Sequence, residues 1–157
     1  EESGNALASV LFGDAVPAGK LPIMMPLTEA DTIEPRAGEV PYSEGLLTSY
    51  RSPDFKAAFP FGHGLSYTDF SYGAPSRVAC ADAAFLHCVS VPITNAGGYP
   101  GREVVQAYVQ FEPQAGYPEK VLRNFQKTEL LQPGETEVVT LPFKLRDMST
   151  YVTGQGW

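Results

Sequence analysis

Phe59-Pro60-Phe61-Gly62-His63-Gly64-Leu65-Ser66-Tyr67 is the stretch at which the pattern of the chain changes. Three aromatic side chains, a histidine, two glycines and a proline crowd together there. Gly62 and Gly64 are expected to supply backbone angles that a side chain forbids, so that the chain turns sharply. Phe59, Phe61 and Tyr67 are expected to bury ring area on both sides, with His63 pointing inward or to a carbonyl. The stretch therefore reads as a structural joint made by Phe59, Phe61, Gly62, His63, Gly64 and Tyr67.

Beyond it the sequence alternates. Val89, Val91 and Ile93 take turns with Ser90, Pro92 and Thr94. The same holds for Val105, Ala107, Val109 and Phe111, and for Val139, Leu141, Phe143 and Leu145. Period two puts each apolar set on one face of a strand. Leu122-Arg123-Asn124-Phe125 reads as a less regular strand. Asn95-Ala96-Gly97-Gly98 and Gln132-Pro133-Gly134-Glu135 read as turns. Pro92 and Pro142 cannot donate to a ladder and are expected at an open edge or a bulge. Short strands separated by frequent turns predict a mainly β chain, an antiparallel sandwich of immunoglobulin or fibronectin type III kind.

Upstream of the joint the signals are different. Ser3 is placed to cap a short helix carrying Ala6, Leu7, Val10 and Leu11 on one side, with Gly13 as its stop. So short a helix is marginal alone and must pack on something. Leu21-Pro22-Ile23-Met24-Met25-Pro26 reads as an extended segment bounded by prolines. Residues 27–58 show little periodicity, and Glu29, Asp31, Glu34, Pro35, Glu39 and Pro41 mark an exposed loop. So long a loop counts against independent folding of this half. Tyr42, Leu46, Leu47, Tyr50 and Phe55 need a surface to cover them.

The 157 residues allow one domain with an extension, and 15 Gly with 14 Pro favour turns and short strands. A net charge of −7 argues against a nucleic-acid partner, and no apolar run is long enough for a membrane span. Acidity and composition fit a secreted or extracellular protein. Cys80 and Cys88 are close enough to pair across a hairpin in an oxidising compartment; as free thiols they would be two small buried apolar side chains. His87 beside Cys88 lacks the second ligand pair that zinc requires.

Gly4-Asn5-Ala6-Leu7-Ala8, Leu11-Phe12-Gly13-Asp14 and Pro17-Ala18-Gly19-Lys20-Leu21-Pro22 resemble the end of the second domain of family 3 glycoside hydrolases. Tyr42-Ser43-Glu44-Gly45-Leu46 with Tyr50-Arg51 resembles that family's next motif, and Phe59 to Tyr67 with Phe70 its strongest mark. Thr94-Asn95-Ala96-Gly97, Gly101 to Val109, Leu122 to Phe125, Leu131 to Glu135 and Arg146 to Ser149 resemble its fibronectin type III-like domain. The resemblance implies residues 1–67 as the tail of an α/β sandwich domain with its linker, and 68–157 as the fibronectin-like domain without its last strand. It is nearest to β-glucosidase members, with a β-xylosidase type as the alternative. Met24-Met25 departs from the usual Thr-aromatic pair, and Pro92 from a β-branched strand position.

Such enzymes retain configuration through an aspartate nucleophile and usually a glutamate acid/base, ~5–5.5 Å apart across the scissile bond. The resemblance places both upstream of Glu1, so no residue here is assigned a catalytic, cofactor-binding or metal-ligating role. The expected function is non-catalytic support within a β-glucosidase-like enzyme, with the rest of that enzyme as partner. The alternative is a stand-alone fibronectin-like module that docks on another protein chain by strand addition. Three other features have bland readings. Glu44, Asp54 and Asp14 read as surface carboxylates, with Glu44 placed to pair with Arg51. His63 and Ser66 lack the elbow of a nucleophilic serine. Tyr99, Tyr108, Tyr117 and Trp157 read as core or interface rather than sugar platforms.

Overall fold

The computed structural model describes residues 2–32 and 37–157. Glu1, and Glu34 and Pro35 of the acidic loop, lie outside the described residues.

Helix α1 spans Ser3–Leu11. Its cap is Glu2, not Ser3: the Glu2 carbonyl already accepts the Ala6 N–H at 3.0 Å, which draws Ser3 into the first turn. The Glu2 carboxylate is occupied by the Asn5 amide at 2.9 Å, so no side chain caps the backbone. Gly13 ends the helix with φ +83° and donates to the Val10 carbonyl. That left-handed geometry suits glycine and explains the stop. Leu7, Leu11 and Phe12 remain mostly in solvent, Phe12 at 84%. The apolar face read from the sequence exists, but little in the described chain covers it.

Strand β1, Met25–Pro26, pairs antiparallel with β2, Ala57–Phe59, Met25 lying opposite Phe59. Two 3-10 turns, Glu29–Asp31 and Ser49–Arg51, punctuate the loop between them. Of the apolar side chains there, Tyr42, Leu46 and Leu47 stay exposed.

The sandwich is built on β5, His87–Asn95. Along one edge of β5 runs β8, Thr136–Phe143. Along the other lie β3, Phe70–Tyr72, and β4, Ser76–Val78, end to end. The second sheet pairs β6, Val104–Val109, with β7, Val121–Lys127. Val91, Ile93, Val139, Leu141 and Phe143 from the first sheet meet Val105 and Leu131 in one core. Burying such a side chain contributes roughly 1.5–3 kcal/mol, so this cluster dominates the fold's stability. The chain is mainly β and antiparallel, as its alternation requires.

The prolines show how the first sheet tolerates them. Pro92 lies opposite the gap between β3 and β4, where its carbonyl accepts the Gly73 N–H at 2.8 Å. In an antiparallel ladder a residue's N and O point the same way, so the missing donor faces that interruption. Pro142 lies on β8, and its carbonyl accepts the Asn124 side-chain amide at 2.6 Å instead of a β5 donor. Its ring nitrogen therefore faces the outer edge. Two strands end earlier than the alternation suggests. Phe111 leaves β6 to pack on Tyr117, and Leu145 enters a 3-10 turn, 67% exposed. Gln132 to Glu135 closes a turn with Gly134 at φ +79°. Cys80 and Cys88 are joined as a disulfide, their Cα atoms 5.3 Å apart, tying the chain beyond β4 to the start of β5.

Candidate functional site

The joint is built from a tight turn held on both sides. His63 N–H donates to the Pro60 carbonyl at 3.0 Å, with Gly62 at φ +79° inside the turn. The turn then pairs with Leu21: Gly62 N–H donates to the Leu21 carbonyl, and Leu21 N–H to the His63 carbonyl, both at 2.8 Å. A methyl group on Gly62 would meet Gln106 Oε1 at 2.7 Å, so glycine here serves both angle and closeness. Gly64 differs from the expectation. Its backbone is unstrained, and glycine is required because a Cβ would sit 2.6 Å from the Gly19 carbonyl.

The rings of the stretch divide. Phe61 stacks on Tyr50 at 4.3 Å between centroids, and Tyr50 meets Tyr108 of β6 edge-on at 5.9 Å. The Tyr50 hydroxyl also accepts the Leu122 N–H of β7 at 2.9 Å. This ladder carries the joint onto the second sheet. Phe59 lies 5.2 Å from the His63 ring but is 46% exposed. Tyr67 is equally exposed, and its hydroxyl donates to the Val10 carbonyl of α1 at 2.7 Å. Of the three, Phe61 alone is not exposed, and it is only half-buried, so the expected burial on both sides is realised in part. Ser66 Oγ accepts the Thr68 N–H at 3.3 Å, a local turn contact with no hydrolase geometry.

Where the joint enters the sandwich, Asn95 is completely buried and fully bonded. Its amide donates to the carbonyls of Tyr99 and Leu131, at 2.8 and 2.9 Å. Its oxygen accepts from Thr68 Oγ1 at 2.6 Å and Gly97 N–H at 3.1 Å. A Cβ on Gly97 would stand 2.2 Å from Thr68 Oγ1, so only glycine fits. Glu103, 8% exposed, receives the Tyr72 hydroxyl at 2.8 Å. Burial first, then that hydrogen bond and the carboxylate's charge, push the Tyr72 phenol well above its ordinary range. Burial, with a smaller contribution from Tyr50, also raises the Tyr108 phenol.

Among the described residues there is no cluster of three His, Cys, Asp or Glu side chains able to hold a metal. Asp14 and Asp54 are exposed. Arg51 is not paired with Glu44 in any ion pair of the described residues; it donates to Thr48 Oγ1 at 2.6 Å instead. Its Nε is buried without a partner there. A depression of about 570 Å³ lies between the sheets beside β6, floored by Val89, Leu141 and Phe143, with Arg77 and His87 in contact among the residues that line it. One edge of β6 pairs with β7; the other carries no strand among the described residues. Tyr50, Tyr72, Lys20 and Glu103 were not readable as site residues, because they meet only through tertiary folding.

Two family models match the chain: the glycosyl hydrolase family 3 C-terminal domain over residues 1–67, and the fibronectin type III-like domain over residues 103–157. A β-glucosidase of Rhizobium radiobacter is 41% identical across 96% of this chain, which spans 20% of that relative. Thermostable β-glucosidase B of Acetivibrio thermocellus is 40% identical across 96% of the chain and 21% of its own length. The crystal structure of a β-D-glucoside glucohydrolase from Trichoderma reesei superposes with a TM-score of 0.88, at 34% identity, over 99% of this chain and 25% of that one. The joint, the sandwich and the ordered motifs thus define a C-terminal module of a glycoside hydrolase. The chain belongs to glycosyl hydrolase family 3, in its C-terminal region. It spans about a fifth of the length of the curated relatives that it matches.

Proposed function

We propose that this chain is the non-catalytic C-terminal support of a β-glucosidase-like enzyme that hydrolyses terminal β-D-glucosyl residues with retention. The observation that carries the reading is the joint. Its turn is hydrogen-bonded to the Leu21 segment on one side and packed against Gln106, Tyr50 and Tyr108 on the other. Such a fastening supports a neighbouring domain without touching substrate. The β-glucosidase names of the relatives favour glucose over xylose. The joined Cys80 and Cys88 support an oxidising, extracellular setting.

A second reading is favoured by the unpaired edge of β6 and the apolar trough beside it. In it, the sandwich accepts an added strand from another protein.

One experiment separates the two. An extract of the source is fractionated by size, and peptides of this chain are followed together with aryl β-glucoside hydrolysis. Support within an enzyme predicts both in one large species. Peptides in a small species bound to an unrelated protein, away from the activity, favour the second reading.

A further inference from the structure

We propose that Lys20 and Glu103 form a largely buried latch that fixes the strap of residues 17–21, and with it the joint, to the sandwich. Lys20 Nζ lies 3.0 Å from Glu103 Oε1, with the two side chains 22% and 10% exposed. The described residues contain one other ion pair, Arg102 with Glu129, and that one is open to water. Exposed pairs contribute little, whereas removing one partner of a buried pair strands a charge and is strongly unfavourable.

Both ends of the latch are anchored. On the sandwich side, Glu103 N–H donates to Thr128 Oγ1 at 3.0 Å, and its carbonyl accepts the Thr128 N–H at 2.9 Å. Thr128 is itself 1% exposed. The Tyr72 hydroxyl holds the same Glu103 oxygen that Lys20 meets. On the strap side, Leu21 exchanges two backbone hydrogen bonds with Gly62 and His63. Gly64 lies so close to Gly19 and Lys20 that no side chain fits between them. A pull on Glu103 therefore passes through Lys20 to the strap, and from the strap to the turn. The coupling is a property of these residues and stands whether or not the parent enzyme is a β-glucosidase.

Amide hydrogen exchange on the 157-residue chain tests it. Glu103→Gln is expected to speed exchange at the Leu21 and Gly62 amides by about tenfold or more, while Ile93 and Val139 in the core stay unchanged. Lys20→Met alters no sandwich side chain, so it gives the same local readout if Glu103→Gln folds poorly. Arg102→Gln, at the exposed pair, is the control and leaves both regions alone. Exchange at Leu21 and Gly62 within about twofold of the parent chain in Lys20→Met would overturn the latch. An increase spread evenly over the core amides in that variant would overturn it as well.

Discussion

Asn95 shows how a single polar side chain can hold a junction. All of its hydrogen-bonding capacity is used inside the fold, on the Thr68 hydroxyl just ahead of β3, the turn at Gly97 and the carbonyls of Tyr99 and Leu131. Asn95→Ala removes all four hydrogen bonds and leaves the Thr68 hydroxyl buried without a partner, and is expected to cost about 2–4 kcal/mol. Denaturant titration reads this directly. Tyr72 offers a second test. Its phenol is raised in the folded chain above the ordinary value of 10.0. Below pH ~10 the phenol is protonated whether folded or unfolded; above it the unfolded chain ionises while the folded one holds its proton. Stability is therefore expected to fall as pH rises past ~10, and Tyr72→Phe to make that alkaline fall shallower in a set of melts taken at stepped pH.

Among the elements, those with a long alternating stretch were legible. The buried faces of β5 and β8 follow from Val91 with Ile93, and from Val139, Leu141 and Phe143. Strands β3 and β4 are too short to show a period, so Phe70–Tyr72 and Ser76–Val78 could not be separated from loop by pattern alone. Their break is what admits Pro92, a proline that the sequence suggested would need an open edge or a bulge. The joint was legible as a turn, because Gly62 is compelled by its backbone. Its partners were not: nothing local in the sequence says that Phe61 stacks on Tyr50, or that Lys20 meets Glu103. Gly64 shows the same limit, since close approach to Gly19 is a property of the fold. The disulfide belongs to this scale too. It ties the end of β4 to β5, where Val78 pairs with Cys88. Reduction is expected to lower stability by ~2–3 kcal/mol through the short closed loop, measured by urea titration with and without reductant. The far half of β5, where Ile93 packs, should keep its amide protection.

At the scale of the whole molecule, two regions of different character share one chain. The sandwich has a core of its own. Among the described residues of the first 67 there is almost none: Leu7, Leu11, Phe12, Ile23 and Leu27 are exposed, and no residue of α1 is buried. Exposed apolar side chains in such number mark a surface made to be covered. Family membership and the relatives' greater length accord with that. The joint, the aromatic ladder and the Lys20–Glu103 latch hold the uncovered region to the sandwich, which is the geometry of a support. The most direct test remains size fractionation of the source extract, with peptides from both regions and aryl β-glucosidase activity followed in the same fractions. Peptides from residues 3–26 and 87–143 eluting with the activity, in a species several times the size of this chain, are the predicted result. Those peptides in a species no larger than this chain, with the activity elsewhere, would contradict it.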